Sequence, residues 1–273
     1  MLKKLLSGCV CAVLSAVMLT SCGRKAGDVA SIKKHGNLVV YTSPDFPPYE
    51  FIGEEGKAIG CEIAILEKVA SKLGVKLEVK PAQFDSIIMA IASGKADLGA
   101  SGFTITDERK QQVDFTVPFD RSYQYLILRE EDNYKYLEDL AGKAIGGQVG
   151  NTGMLLVEDA INKGELKDTK AELKQFKTAS DAVLELKNKK LDAVVVDKLV
   201  AIELSKQNEG TKTVQLLFKT AEPEHEDFGM IVKKGNAELL QLLNATITEM
   251  KESGELEVNL LKYSEIARKL QDK

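Results

Sequence analysis

Ala96-Asp97-Leu98-Gly99-Ala100-Ser101-Gly102-Phe103-Thr104-Ile105-Thr106-Asp107-Glu108-Arg109 is the stretch on which the reading of this sequence turns. Its first five residues form a short, mostly apolar run of the kind that makes a buried strand. The run opens into a hydroxyl-rich loop ending at Thr106-Asp107-Glu108-Arg109, where Thr106 can cap a helix and two acids fall in its first turn. A strand leading into a polar loop and a helix start is the repeating unit of an α/β fold. Upstream, Asn37-Leu38-Val39-Val40-Tyr41-Thr42 reads as a first strand, and Val75 to Val79 as another. Between them, Ile63, Leu66, Val69, Ala70 and Leu73 recur at helical spacing, with Gly74 as the stop. Asp85 is placed to cap a further helix carrying Ile87, Ile88 and Ile91, which ends near Gly94.

A second set of the same kind follows the polar stretch from Arg129 to Lys135. It has a strand at Lys143-Ala144-Ile145-Gly146, a helix near Met154 to Asn162, a strand from Glu172 to Phe176, and a helix capped by Ser180 through Lys187. The apolar strand Leu191-Asp192-Ala193-Val194-Val195-Val196 then runs into Asp197. Two sets imply two lobes, each a mainly parallel sheet flanked by helices. The chain is expected to cross between them near Leu128 to Asp132 and to return near Thr220 to Asp227. The segment Phe228 to Val232 and a long helix from Ala237 to Ser253 then complete the first lobe.

At the other end, Lys3 and Lys4 precede an uncharged run from Leu5 to Leu19, which is 15 residues and too short to span a bilayer. It reads as a secretory signal, and Leu19-Thr20-Ser21-Cys22 resembles the lipobox at which bacterial lipoproteins are cleaved and lipidated. Residues 1–21 are therefore expected to be removed and Cys22 to carry lipid, with residues 22–35 as lipidated Cys and tether. Cys9 and Cys11 fall in the signal, so Cys61 is left as a single thiol that reads as buried among Ile59, Gly60 and Ile63. His35 and His225 lack metal-ligand spacing, and neither a metal nor a cofactor is expected. Composition excludes collagen, coiled coil, disorder and a polytopic membrane protein: of 273 residues 44% are hydrophobic and 29% charged. The net charge of −4 gives no global attraction to nucleic acid.

Four segments resemble the polar amino-acid-binding proteins of bacterial ABC importers, which are extracellular solute-binding proteins of family 3 with the two-lobed type II periplasmic binding fold. They are Thr42-Ser43-Pro44-Asp45-Phe46-Pro47-Pro48-Tyr49-Glu50-Phe51, Gly60-Cys61-Glu62-Ile63, Phe84-Asp85-Ser86-Ile87-Ile88, and the Ser101 to Arg109 loop followed by Val113-Asp114-Phe115-Thr116. The resemblance covers residues 36 to 265. It implies lobe 1 at 36–128 plus 226–273, lobe 2 at 129–225, and two hinge strands.

The chemistry of the loop suits such a ligand. An amino acid is a zwitterion, and a closed site must pair both of its charges. The Arg109 fork can take the carboxylate with help from the Thr104 hydroxyl. Asp197, at the carboxyl end of a strand, can take the ammonium. The resemblance adds Phe46 and Phe84 stacking on the ligand side chain, the backbone of Ser101 and Gly102, and the loop residues Asn151 and Thr152 completing the carboxylate site. Ser43 stands where many relatives have an acid that meets a basic side chain, and Asp45 or Glu50 could substitute. A polar or charged L-amino acid is expected, with basic ones favoured.

These features imply a monomer, anchored by lipid outside the bacterial membrane, that closes on a free amino acid and presents it to an ABC permease and its ATPase. No Gly-x-x-x-x-Gly-Lys loop is present to bind ATP in this chain. Two rivals share the fold. A ligand-presenting sensor lipoprotein would use the same lobes, and a periplasmic dehydratase-like enzyme would need a general acid or base in the cleft, for which Glu50 is the sole speculative candidate. The non-enzymatic reading is adopted.

Overall fold

The computed structural model describes residues 26–270. Cys22 and the signal segment lie outside the described residues. Two five-stranded mixed sheets organise the chain. In the first, Lys76–Pro81, Asn37–Thr42 and Leu98–Gly99 run parallel, and Ile231–Lys233 inserts antiparallel between Leu98–Gly99 and Val113–Phe115. In the second, Glu172–Phe176, Ala144–Gln148 and Ala193–Asp197 run parallel, while Gln124–Arg129 and Thr211–Gln215 add antiparallel strands. Helices cover both, and each sheet with its helices is called a lobe below.

The crossing between lobes differs from the expectation. Gln124 to Leu128, expected to finish the first lobe, lies inside the second sheet, between Ala193–Asp197 and the edge strand Thr211–Gln215. The physical reason is the continuous apolar run Leu126-Ile127-Leu128, all fully buried, which needs neighbours on both sides. The crossing strand is Asp120–Ser122, which pairs antiparallel with the returning Glu226–Phe228 in register Glu226 to Ser122 and Phe228 to Asp120. This two-stranded ribbon joins the lobes.

The expected tether is also shorter. Residues Val29–His35 form a helix, capped by the Asp28 carboxylate accepting from Ser31 N–H at 2.9 Å and ended by Gly36 in the left-handed conformation. Val29 and Ile32 lie three residues apart on its inner face, and Ile32 is fully buried in the main core. Buried Asp97 holds the start of this segment by accepting from Gly27 N–H and Val39 N–H, both at 2.8 Å. Two other helix starts shift slightly. Thr178 rather than Ser180 caps Ala179–Lys187, by accepting from Asp181 N–H. Phe84–Ala92 begins one residue before Asp85, which sits in its first turn instead.

The largest apolar cluster runs through both lobes on the hinge side, from Tyr49, Phe119 and Phe228 to Val200, Ala201 and Leu204. Cys61 is buried in it, and burial pushes its thiol up. Opposite this cluster, the loops at the carboxyl ends of both sheets face one another, which is where α/β sheets hold ligands.

Candidate functional site

The Ser101 to Arg109 loop is zipped onto the returning hinge strand. Ile105 N–H donates to Asp227 O at 2.8 Å, and Gly229 N–H donates to Phe103 O at 3.0 Å. Thr106 caps the short helix Asp107–Lys110 by accepting from Arg109 N–H at 3.2 Å, which turns the arginine side chain back under the loop. There its guanidinium carbon lies 5.7 Å from the Phe84 ring centroid and 5.8 Å from that of Phe103, whose rings stack at 4.9 Å. Nη1 donates to Thr104 O and Nη2 to Gly150 O across the cleft, both at 2.9 Å. The backbone is thus one partner in each lobe, and this fixes the fork in place. Burial draws the Arg109 pKa down, opposed by the charges of Glu226 and Asp197.

From the second lobe, Asn151 caps the helix Thr152–Lys163 by accepting from Gly153 N–H at 2.7 Å. Its side-chain amide donates to Asp197 Oδ2 at 3.3 Å, while Gln124 Nε2 donates to Oδ1 at 3.3 Å. Asp197 stands at the start of the next helix but makes no side-chain cap there, which leaves its carboxylate free to accept from these two amides. Burial, then the nearby charge of Glu226, pushes the Asp197 pKa up to about 8. Gly153 is required where it is, because a Cβ there would stand 2.3 Å from Gln124 Oε1 and 2.9 Å from Val195 Cγ2.

Thr104 and Thr152 meet across the cleft, their hydroxyls 3.2 Å apart. Both hydroxyls also donate to Glu226 Oε2 at 2.6 Å, and Gln124 Nε2 donates to Glu226 Oε1 at 3.1 Å. Behind them, Phe46 stacks on Tyr49 at 5.8 Å and packs against Gly102, where a Cβ would stand 2.6 Å from the Phe46 ring and the φ of 54° favours glycine. Ser101 Oγ accepts from Ser43 N–H at 3.1 Å, and Gly102 N–H donates to Glu62 Oε2 at 3.0 Å. Of the two substitutes for the missing acid at Ser43, Asp45 accepts from Ser43 Oγ at 2.8 Å and from Gln148 Nε2 of the other lobe at 3.3 Å. Glu50 is fully buried, and burial, with the neighbouring charge of Glu62 after it, raises its pKa well above the usual range. It faces the core and not the cleft.

A cavity of about 590 Å³ opens from this cluster, lined by Thr104, Gln124, Thr152 and Glu226 and by the segment Ala221 to Asp227. Of the residues expected from the sequence, Thr104 and Thr152 line it. Arg109, Asn151 and Asp197 stand directly behind these two and their partners. Phe46, Phe84, Ser101 and Gly102 pack the first-lobe wall. Gln124 and Glu226 were missed. Gln124 lies opposite Asp197 in the strand register, a relation that only the sheet topology reveals. Glu226 lies in the acid-rich run Glu222 to Asp227, whose sole sequence signal is charge. Among the described residues no group of His, Cys, Asp and Glu could hold a metal ion.

Residues 38–265 match the bacterial extracellular solute-binding proteins, family 3. The chain belongs to that family. The family's role is solute binding for transport, which is not an enzymatic one. The L-cystine-binding protein TcyJ of Escherichia coli is 28% identical over 93% of this chain and 92% of its own. An ancestral arginine-binding protein solved with arginine is 40% identical, with a TM-score of 0.75 over 84% of this chain and 98% of its own. The substrate-binding protein AbpA of Streptococcus pneumoniae, solved with L-arginine, is 30% identical, with a TM-score of 0.80 over 87% of this chain and 98% of its own. The fold expected from the sequence is the fold found.

Proposed function

We propose that this family 3 protein captures a polar or charged L-amino acid, basic ones ahead of the rest, between its closing lobes and delivers it to an ABC permease. In this reading Arg109 meets the α-carboxylate together with Thr104 and Thr152, and Asp197, oriented by Asn151, meets the α-ammonium. Phe46 and Phe84, with the Ser101-Gly102 backbone, bound the side chain. Lobe 1 comprises residues 29–119 plus 229–270, with Asp120–Ser122 and Glu226–Phe228 as the hinge ribbon, and Cys22 carries the lipid that anchors the protein to the bacterial membrane on its extracytoplasmic side. The permease's ATPase supplies the energy.

The observation that carries the reading is Arg109, buried between Phe84 and Phe103 and pinned by one carbonyl from each lobe, with Asp197 on the facing lobe. A cation and an acid that an ammonium would ionise, held on opposite walls, match a zwitterion, and both are complete only when the lobes meet. The names of the relatives, which bind cystine or arginine, support an amino-acid ligand. Thermal unfolding of residues 23–273, refolded to strip ligand, is the test, run against the twenty amino acids. A rise of several degrees with one or a few of them, lost in Arg109→Ala, is expected. No rise with any of them refutes the reading.

A further inference from the structure

The hydroxyls of Thr104 and Thr152, one from each lobe, both donate to a single oxygen of Glu226, at 2.6 Å each, and Gln124 donates to its other oxygen at 3.1 Å. Glu226 reaches this point because its strand pairs with the crossing strand and its neighbours are bonded to the Thr104 loop. A carboxylate from the chain itself therefore sits on the donors that, on the function proposed above, belong to the carboxylate of the ligand. Two hydroxyl protons converging on one oxygen can serve one anion at a time.

We propose that Glu226 is an internal competitor of the ligand carboxylate: it ties Thr104 to Thr152 and must be displaced from both before an amino acid binds. The tie is made of charge-assisted hydrogen bonds, which are the stronger kind. Breaking them subtracts from affinity in equal measure for every amino acid, whatever its side chain. Glu226 thereby sets the threshold of the site and narrows its margin for ligands with a carboxylate over amines that lack one, which leave the tie in place.

The inference rests on the amino-acid reading, and calorimetric titration separates the two. The full mature chain is compared with Glu226→Ala and Glu226→Gln, using L-arginine, L-histidine and L-glutamine, and L-argininamide as the ligand without a carboxylate. Thermal unfolding of each variant confirms that it is folded, and Glu226→Gln, which keeps the shape, covers the case in which Ala disturbs the ribbon. The expected result is about tenfold tighter binding of the amino acids by Glu226→Ala, a gain in the same direction for Glu226→Gln, and no gain for the amide. Equal affinities in wild type and variants overturn the proposal. Weaker binding in the variants, greatest for L-arginine, also overturns it and makes Glu226 a contact for the ligand's cation. If no amino acid binds any of the proteins, the function proposed above fails and the competition fails with it.

Discussion

On the proposed function, Asp197 should tie ligand affinity to pH in a way that can be worked out in advance. Its two carboxylate oxygens accept from Gln124 and Asn151, bonds that suit the ionised form, yet burial and the charge of Glu226 hold its pKa at about 8. An ammonium brings the compensating charge, so binding selects the carboxylate and expels the proton. With a pKa of about 8, roughly one molecule in a hundred is ionised at pH 6 and about half at pH 8. The association constant should therefore climb about fiftyfold across that interval and level off above it. Calorimetry in two buffers of different ionisation enthalpy should register the release of about one proton per ligand bound near pH 6. Asp197→Asn should bind far more weakly and lose the slope. A dissociation constant that stays flat from pH 6 to pH 8 in the wild type, with no proton released, would refute the assignment of the ammonium to Asp197.

The buried acids beneath the loop should act on stability instead. Burial raises Glu62 to about 7 in the folded protein, above its ordinary 4.5. The folded state thus binds more protons than the unfolded one between those values, and stability falls as pH rises from about 4.5 to about 7, by about 3 kcal/mol. Glu62→Gln, which can still accept from Gly102 N–H, should remove most of that loss in denaturant titrations at pH 5 and pH 8 while leaving the pH slope of ligand binding in place. The Val29–His35 helix is tested by Ile32→Ala, expected to cost about 2 to 5 kcal/mol because the side chain is fully buried, against no cost for a residue in a free tether.

What could be read from the sequence, and what could not, divides along chain distance. The strands at Asn37 and Ala193, the helix after Cys61 and the cap at Thr106 depend on neighbours a few residues away, so periodicity and capping chemistry carry them. The placement of Arg109, Asp197 and Thr152 around the cleft was legible because each lies at the end of a strand or the start of a helix. Gln124 was not, because its run of apolar neighbours would suit the middle of either sheet. Only the pairing with Ala193–Asp197 assigns it, and that pairing spans about seventy residues. The short first helix was legible in principle: Asp28, Gly36 and the Val29 and Ile32 spacing are all local signals, outweighed in the reading by the many polar residues around them.

The same division explains how the cleft treats the two ends of a ligand. At one end, Arg109 bonds Gly150 O, and Thr104, Thr152 and Glu226 close a second contact between the lobes. At the other, Ser43 does not leave the wall without charge. Its hydroxyl donates to Asp45, two residues on, and Asp45 in turn receives Gln148 from the facing lobe. Burial raises Asp45 despite these bonds, so a cation reaching that end would find an acid whose ionisation it stabilises. Each end joins the lobes through a polar contact that a ligand can replace with its own. On the proposed function, closure then depends on the ligand satisfying both ends at once. A side chain too short to reach Asp45 leaves that contact between protein groups, and one with a terminal cation gains it. On that function, a preference for basic ligands would follow from Asp45 and not from Glu50, which is buried in the core.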